Sequence, residues 1–359
     1  MINEMTSRER ILAAVNHQPV DRIPTDYWAV DEITNKLMKH LGVKTEIEIY
    51  DALGIDGIPV VHPIYTGPVL ERTSEKSEDF WGVRYRHISY ADGAGMYGEV
   101  SHNPMAKFET IDEIEANYKW PSADMFDYSN IPALCAQHPN RAIMAGYASP
   151  FLVYTYLRGL EQSLMDLAAE EELADYILGN ICDFLFDYHR RIFEAAQGQI
   201  HVCQYTDDFG TQNGLMISVD MFNRFFRKQF ERFVKMYREY GIKVFHHDDG
   251  AIRPLIPELV DVGVDILNPI QWHLPGMDLK ELKDSFGKQI CFHGAIDNQH
   301  VLPFGTVDEV KKEVATCIDI LASDGTGYIL APCHNIQIVS PIENILTMYK
   351  TAHELGRFV

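Results

Sequence analysis

Eight short apolar runs lie along the chain, and amphipathic stretches with helical spacing separate most of them. The runs are Ile23–Tyr27, Ile58–Val61, Ala142–Gly146, Ile200–Tyr205, Lys243–Phe245, Asp265–Leu267, Ile290–Phe292 and Tyr328–Ala331. The longest amphipathic stretches are Glu170–Ala196, Val219–Tyr240, Val307–Leu321 and Pro341–Leu355. Because strands that alternate with helices pair in parallel, this pattern predicts an α/β fold of the (β/α) barrel type.

The segment between the second and third runs, residues 63–140, is too long for one connection between a strand and a helix. Within it, Trp81–Tyr90 alternates like an antiparallel strand, and Met96–Ser101 follows as its partner. No linker divides the chain, so we expect residues 1–359 to form one barrel domain with an insertion that covers part of the mouth. Near the amino end, Thr6–Glu9 has the Thr-x-x-Glu pattern of a capping box, which predicts the start of a helix.

In the second half of the chain, each apolar run ends in polar or titratable residues. The clusters are Asp207-Asp208, His246-His247-Asp248-Asp249-Gly250, Asn268 with Gln271, His293 with Asp297, and Cys333-His334-Asn335. The carboxyl ends of barrel strands meet on one rim, where barrel enzymes carry their active sites. We therefore expect these clusters to lie close together and to perform the chemistry of an enzyme.

Composition and charge exclude several other classes of protein. The chain has 359 residues, of which 46% are hydrophobic and 23% charged, and its net charge is −21. A surface this acidic repels phosphate backbones and anionic lipids, so we expect neither nucleic-acid nor membrane partners. Six scattered cysteines favour reduced core thiols over a disulfide framework. Residues 1–5 lack the basic start and apolar core of a secretory signal, so we expect a cytoplasmic protein.

The most informative cluster follows the run Lys243–Phe245. In an extended segment, His247 and Asp249 point to the same face and offer one imidazole nitrogen and one carboxylate oxygen. Cys333 or His334, after the last run, would complete a three-ligand zinc site with one position open for water or substrate. The alternative is that His247 and Asp249 only hydrogen-bond each other and nearby backbone, and the spacing alone leaves both interpretations open.

Two adjacent carboxylates are candidates for a catalytic role beside His247. Asp207 and Asp208 could orient a ligand or move a proton, since mutual repulsion drives the pKa values of adjacent carboxylates apart. Equally, one of them could cap the turn before the helix that begins near Ser218.

Five further residues are candidates for binding a substrate. Asn268 and Gln271 are neutral hydrogen-bonding groups, suited to reading an amide edge or to tying their loop. His293 lies at the next rim position, although a lone histidine there is more often simply hydrogen-bonded. Tyr147 and Tyr154 flank Ser149-Pro150 after the third run and could line the pocket, although tyrosine is also ordinary core material.

Three longer segments carry a resemblance to a known family. They are the opening Arg8–Leu12 through Val20–Pro24, the stretch HHDDGAIRPLIPELVDVGVDILNPIQ from His246, and the stretch GYILAPCHNIQIVSP from Gly327. The opening resembles the start of the uroporphyrinogen decarboxylase superfamily, and the two later stretches are similar to its cobamide-dependent methyltransferase branch. This resemblance covers nearly the whole chain and implies a distorted (β/α)8 TIM barrel with its pocket at the carboxyl ends of the strands.

The methyltransferase branch implies a specific chemistry. There, a zinc ion held by a His-x-Cys pair and a later Cys activates a methyl acceptor, and a separate corrinoid protein carries the methyl group. The His falls on His247, the first Cys on Asp249, and the late Cys at or next to Cys333 and His334. Carboxylate in place of thiolate makes the site harder, which weakens the expectation of a thiol substrate. The resemblance thus implies a methyltransferase with zinc, a corrinoid protein as partner, and a thiol, a methoxyl compound or tetrahydrofolate as small-molecule donor or acceptor.

A metal-free decarboxylase of porphyrin metabolism is the alternative within the same superfamily. Its decarboxylases carry an arginine-containing Gln-Ala-Gly-Arg segment shortly after the opening motif. This chain has the aromatic and acidic segment Tyr27–Glu32 there. Because an octa-acid substrate needs cationic partners, the methyltransferase is the preferred prediction.

Overall fold

A computed structural model of the protein describes residues 4–90, 93 and 95–357. The strands are β1 Val60–Val61, β2 Ile64–Tyr65, β3 Lys76–Glu78, β4 Arg84–Tyr90, β5 Gly95–His102, β6 Phe126–Asp127, β7 Met144–Ala148, β8 Val202–Tyr205, β9 Gly210–Thr211, β10 Gly214–Leu215, β11 Lys243–His247, β12 Ile266–Asn268, β13 Cys291–Ile296 and β14 Tyr328–Pro332. The helices are α1 Ser7–Val15, α2 Asp31–Leu41, α3 Glu46–Leu53, α4 Ile111–Asn117, α5 Ile131–Ala136, α6 Pro150–Arg158, α7 Leu160–Ala169, α8 Glu171–Ala196, α9 Val219–Met221, α10 Arg227–Glu239, α11 Ile256–Val262, α12 Leu279–Phe286, α13 Val301–Phe304, α14 Val307–Leu321 and α15 Ile342–Leu355. A π-helical segment, Phe222–Phe226, joins α9 to α10.

Seven parallel strands curl into the sheet that was predicted as a barrel. Their order is β1-β7-β8-β11-β12-β13-β14. The first predicted strand, Ile23–Tyr27, runs between the two edges, where Thr25 forms a parallel bridge with Leu330 and accepts a hydrogen bond from Gly57 N–H over 3.1 Å. The prediction of a distorted TIM barrel is therefore confirmed, with its first strand reduced to an isolated bridge.

The amino ends of the strands are filled by apolar side chains and closed by α1. Met144, Phe245, Ile266 and neighbouring strand residues form one interior cluster, against which Ile11 of α1 packs. The helix begins as predicted, because the hydroxyl of Thr6 accepts Glu9 N–H and the carboxylate of Glu9 accepts Thr6 N–H. With this end closed, access to the barrel interior is from the carboxyl ends, where the polar clusters lie.

The insertion contains an antiparallel sheet of β3, β4 and β5. The pairing of β4 with β5 runs from Arg84 opposite His102 to Tyr90 opposite Gly95. This confirms the antiparallel pair expected at Trp81–Tyr90 and Met96–Ser101, while positions 91, 92 and 94 at its turn lie outside the described residues. We call β4 and β5 the hairpin.

Among the helices of the described residues, none is both long enough and apolar enough to cross a lipid bilayer.

Candidate metal centre at the barrel mouth

Three possible metal ligands meet beyond the carboxyl end of β11. His247 ends that strand, Asp249 follows two residues later, and His334 lies just after β14. Nε2 of His247 lies 3.8 Å from Oδ2 of Asp249, and Nε2 of His334 lies 3.5 Å from the same oxygen. One ligand atom from each residue lies within 4.8 Å of the other two. We call these three residues the trio.

A chain of hydrogen bonds across the barrel interior fixes which nitrogen of His247 faces the mouth. Oδ2 of Asp26 accepts from Nε2–H of His293 over 3.0 Å. On the other side of the same ring, Nδ1 of His293 accepts from Nδ2 of Asn268 over 2.7 Å. The amide oxygen of Asn268 therefore faces His247 and accepts from its Nδ1–H over 2.5 Å. As a result, Nε2 of His247 keeps its lone pair, as a metal ligand requires.

Trp28 packs over this chain of hydrogen bonds. Its ring stacks on those of Phe245 and His247, with centroids 5.7 Å and 5.6 Å apart, and its Nε1–H donates to Asp26 over 3.1 Å. Asp26 and Trp28 are site residues that sequence reasoning missed. The sequence did contain a signal for Asp26, because it is a charged residue inside the first apolar run, Ile23–Tyr27.

The loop after β14 presents His334 to the trio, whereas the side chain of Cys333 points elsewhere. The thiol of Cys333 donates to the carbonyl oxygen of Ile270 over 3.2 Å, and burial raises its pKa well above the usual value. Of the two residues left open as third ligand, this arrangement favours His334. Nδ1 of His334 accepts Asn335 N–H over 2.6 Å, so the neutral ring carries its proton on Nε2. A metal ion could bind Nε2 only after that proton had moved to Nδ1.

Two carboxylates make the mouth electrostatically favourable for a cation. Oδ1 of Asp249 is buried and has no hydrogen-bond partner among the described residues. Burial raises the pKa of Asp249, and the charges of the His247 and His334 rings oppose that rise. Asp208 accepts Asp249 N–H over 3.1 Å, and its Oδ1 lies 3.8 Å from Nε2 of His247. A divalent cation would compensate both carboxylates.

The other predicted carboxylate, Asp207, has a structural position. Its Oδ1 accepts Leu152 N–H over 3.0 Å in the first turn of α6, and burial raises its pKa well above the usual value. It thus caps α6, whereas Ser218 caps the helix that follows it through its own hydroxyl. Because Asp207 is 1% exposed, we assign it no contact with a substrate.

His246 and Asp248 point to the other face of β11, as the alternation of an extended segment predicts. His246 donates from Nδ1 to the carbonyl oxygen of Tyr205 over 2.8 Å, and burial lowers its pKa to about 4. Asp248 accepts the N–H groups of Phe209 and Gly210 over 2.9 Å and 3.0 Å. Both residues therefore hold the loop after β8 against β11.

The five predicted substrate-binding residues separate into exposed and buried positions. Tyr147 is 49% exposed, and its ring lines a cavity. It follows a bulge at Gly146 in β7. Partial desolvation of its hydroxyl raises the pKa of Tyr147 to about 12. Gln271 also reaches the mouth, where its amide oxygen accepts Gly250 N–H over 2.6 Å. Asn268 and His293 are fully buried in the hydrogen-bonded chain.

The prediction that Tyr154 lines the pocket is wrong. Its side chain is 0% exposed, and its hydroxyl donates to Asp166 over 2.9 Å inside the layer formed by α6 and α7. Tyr147 lies in the strand β7, whereas Tyr154 lies in the helix α6. Side chains repeat with different periods in strands and helices, so the positions of the two tyrosines in the sequence do not place their rings on the same side.

Two spaces lie at the mouth, one lined by Asp208, whose Oδ1 lies 3.8 Å from Nε2 of His247, and the other by Asp249 and His334 of the trio. The first, which we call the hairpin cavity, has a volume of about 430 Å³ and lies between the hairpin, α6, α7 and Asp208. The second, which we call the amide cleft, has a volume of about 740 Å³ and borders Asp249 and His334. The amide cleft carries the side-chain amides of Gln212, Gln271, Asn298, Gln299 and Gln337. Among the described residues that line either space, none is lysine or arginine.

Similar proteins support the fold and the family. A solved structure titled methyltransferase from Methanosarcina mazei aligns with 98% of this chain and 99% of its own at a TM-score of 0.70 and 17% identity, which shows a shared fold. A curated relative named Uroporphyrinogen decarboxylase, from Aliivibrio salmonicida (strain LFI1238), is 20% identical over 97% of each chain. The family profile described as Uroporphyrinogen decarboxylase (URO-D) matches residues 95–355. Since this match spans well over half of the chain, the protein belongs to the uroporphyrinogen decarboxylase family.

Proposed function

We propose that this protein is a methyltransferase that moves a methyl group between a small molecule in the hairpin cavity and the cobalt of a corrinoid presented by a partner protein at the amide cleft. The observation that carries the proposal is the position of the trio, which borders the amide cleft directly and the hairpin cavity through Asp208. In a methyl transfer, the atom that loses the methyl group and the atom that gains it lie on opposite sides of the methyl carbon. The hairpin cavity provides a place for the small molecule, and the amide cleft provides a place for the corrinoid.

The donor set of the trio fits a catalytic zinc ion. Two imidazoles and one carboxylate form a known set of ligands for catalytic zinc, which keeps a further position open. The buried, unpartnered Oδ1 of Asp249 and the preset lone pair of His247 support this assignment. When bound, the metal ion supplies Lewis acidity toward an oxygen or sulfur leaving group.

The residues around the trio perform the remaining tasks in this proposal. Asn268 holds His247 in the tautomer with a free Nε2, and the ring of Trp28 stacks on that imidazole. The carboxylate of Asp208, which lines the hairpin cavity, accepts Asp249 N–H and so holds that ligand in place. The amides of the cleft match the carboxamide side chains at the periphery of a corrin ring, because each amide offers both donors and an acceptor.

The charges of the two spaces argue against porphyrinogen decarboxylation in this chain. A substrate with eight carboxylates would have to enter a mouth where the described lining residues include Asp208 and Asp249 and no cation. Carboxylate recognition in proteins relies on arginine and lysine. The name of the curated relative therefore does not carry over to the reaction that we propose.

Metal content and methyl transfer test the proposal together. Protein purified without a His-tag or chelator should contain about one zinc ion per chain and should methylate cob(I)alamin from a methoxylated donor, which is followed by the visible spectrum of methylcobalamin. Uroporphyrinogen should stay undecarboxylated under the same conditions. A metal-free protein that decarboxylates uroporphyrinogen and transfers no methyl group would overturn the proposal.

Asn268→Ala tests the hydrogen-bonded chain beneath the trio. Without the amide, His247 can adopt either tautomer, so we expect zinc affinity to fall about 10–100-fold, as for other lost partners of a metal-binding histidine. Asn344→Ala is the matched control, because it removes another buried amide, which donates to the carbonyl oxygens of Leu302 and Gly305 and not to a histidine of the trio. Competition with a chelator measures the affinity of each variant. Equal affinities in the two variants would contradict a role for Asn268 in holding His247.

A further inference from the structure

We propose that the loop Asp208–Met216 positions Asp249, the carboxylate ligand of the trio. We call this loop the partition, because it has side chains on both of the spaces at the mouth. The positioning residues are Gly210 within the partition and Asp248 and Gly250 on either side of Asp249. This inference rests on the proposed function, since it concerns the metal centre of that function, and it names residues that act on the centre without binding the metal ion.

The partition borders the hairpin cavity and the amide cleft with different side chains. Asp208 and Met216 line the hairpin cavity, whereas Gln212 lines the amide cleft. The loop folds on itself, because β9 pairs with β10 and Met216 N–H donates to the carbonyl oxygen of Phe209 over 2.7 Å. The partition is therefore a folded wall that faces both spaces.

Hydrogen bonds join the partition to the backbone around Asp249. The carboxylate of Asp208 accepts Asp249 N–H over 3.1 Å, and the carbonyl oxygen of Thr211 accepts Ala251 N–H over 2.8 Å. Asp249 therefore lies between two attachments to the same loop, one at its own N–H and one two residues later. A displacement of the partition would move the carboxylate ligand with it.

The two segments approach each other so closely that only glycine fits at two positions. A methyl group at Gly210 would overlap the carbonyl oxygen of Asp249. A methyl group at Gly250 would lie 2.6 Å from the carbonyl oxygen of Thr211, and the backbone at Gly250 has a φ of 105°, which side chains disfavour. Because protein interiors are closely packed and transmit strain, a side chain at either position would push the partition and the segment of Asp249 apart.

Asp248 anchors the partition from the side of β11 that faces away from the trio. The residue is fully buried, and its Oδ1 accepts the N–H groups of Phe209 and Gly210 over 2.9 Å and 3.0 Å. Its Oδ2 has no hydrogen-bond partner among the described residues and lies 3.5 Å from Nε2 of His246. One oxygen atom thus provides the anchor, and the oxygen of a side-chain amide in the same place can accept both N–H groups.

Small displacements of Asp249 matter for metal binding. Its Oδ2 lies 3.5 Å from Nε2 of His334 and 3.8 Å from Nε2 of His247. The ligand atoms of a tetrahedral zinc ion lie roughly 3.4 Å apart, because each bond is about 2.0–2.2 Å long. The trio is close to that spacing, and a functional site needs its groups held within roughly 0.5 Å. The partition holds Asp249 to this precision.

A pair of substitutions at Asp248 tests the anchor through zinc affinity, measured by competition with a chelator. Asp248→Ala removes the acceptor of two N–H groups of the partition, and we expect zinc affinity to fall about 10–100-fold, as for other lost partners behind a metal ligand. Asp248→Asn keeps an oxygen atom at the position of Oδ1, so it should restore the affinity to near that of the unaltered protein.

Gly210→Ala tests the close approach of the two segments. Since the added methyl group displaces Asp249, we expect a similar loss of zinc affinity and a changed visible spectrum when cobalt(II) replaces zinc, because that spectrum depends on the geometry of the ligands. Gly179→Ala is the matched control, because Gly179 lies in α8, where an added methyl group would meet nothing within 4 Å. Urea unfolding of each metal-free variant shows how much of any loss comes from the stability of the fold.

The results separate this inference from the proposed function. Tight zinc binding by the unaltered protein and Asp248→Asn, with weak binding by folded Asp248→Ala and Gly210→Ala, would support the partition whether or not methyl transfer is found. Lower stability with unchanged zinc affinity in Asp248→Ala and Gly210→Ala would mean a purely structural role, which overturns the inference and leaves the metal centre standing. A loss in Asp248→Asn as large as in Asp248→Ala would overturn the anchor at Oδ1. An unaltered protein without affinity for zinc would refute the metal centre itself, and this inference with it.

Discussion

The variant His247→Ala is expected to lose its metal ion and to transfer methyl groups about a thousandfold more slowly. His247 is the ligand whose free lone pair is set in advance by Asn268, His293 and Asp26. Lewis acidity contributes several kcal/mol to a transition state, and each 1.4 kcal/mol corresponds to a factor of ten in rate. Elemental analysis and the formation of methylcobalamin measure the two effects.

The same experiment on His334→Ala should show a smaller effect. Nδ1 of His334 accepts Asn335 N–H, so its Nε2 has to lose a proton before it can bind a metal ion, and its contribution to affinity is reduced accordingly. His353→Ala serves as the control, because its imidazole bonds to the carbonyl oxygen of Leu53, away from the mouth. Full zinc content and activity in His247→Ala would refute the metal centre.

The alternation of side chains along β11 explains why part of the site was predictable. Because side chains alternate in a strand, His247 and Asp249 could be placed on one face and His246 with Asp248 on the other. The structure has this arrangement, with His247 against Trp28 and His246 against Phe230. Because this alternation has a fixed period of two residues, it can be extended along the strand without knowing which other segments pack against it.

The choice between Cys333 and His334 could not be made in the same way. The strand β14 ends at Pro332, and one residue of difference in where the extended backbone stops reverses which side chain faces the mouth. The hydrogen bonds of Cys333, to Ile270 through its thiol and to Ile296 through its N–H, decide the outcome. These are contacts between distant segments, which no local pattern contains.

Asp26 was missed for a related reason. Its segment was correctly predicted as extended, but its function depends on His293, which lies 267 residues later in the chain. A hydrogen bond of that span is visible only once the barrel closes. The apolar runs therefore predicted the barrel and the polar rim, with Asn268 and His293 among its residues, while the hydrogen bonds that set the tautomer of His247 emerged only from the folded structure.

The largest expected effect on stability is at Asp56, below the site. This carboxylate is fully buried and accepts hydrogen bonds from Arg10 over 2.5 Å, from Arg22 over 2.7 Å and from Thr25 N–H over 3.0 Å. Asp56, which lies just before β1, thereby connects Arg10 of α1 with the segment Arg22–Thr25. Because Asp56→Ala leaves the buried guanidinium of Arg10 with one partner fewer, we expect the free energy of unfolding to fall by about 3–5 kcal/mol.

Asp51→Ala distinguishes burial from ion pairing as the source of that loss. Asp51 also pairs with an arginine, Arg141, over 2.6 Å, but its side chain is 68% exposed. Water already solvates this carboxylate, so its removal should cost no more than about 1 kcal/mol. Urea unfolding followed by circular dichroism measures both variants, and similar losses in the two would contradict the importance of burial. The stability of the contacts of Asp56 matters for function, because they hold α1 in place. The helix α1 packs in the same apolar cluster as Phe245, and Trp28 stacks on both Phe245 and His247.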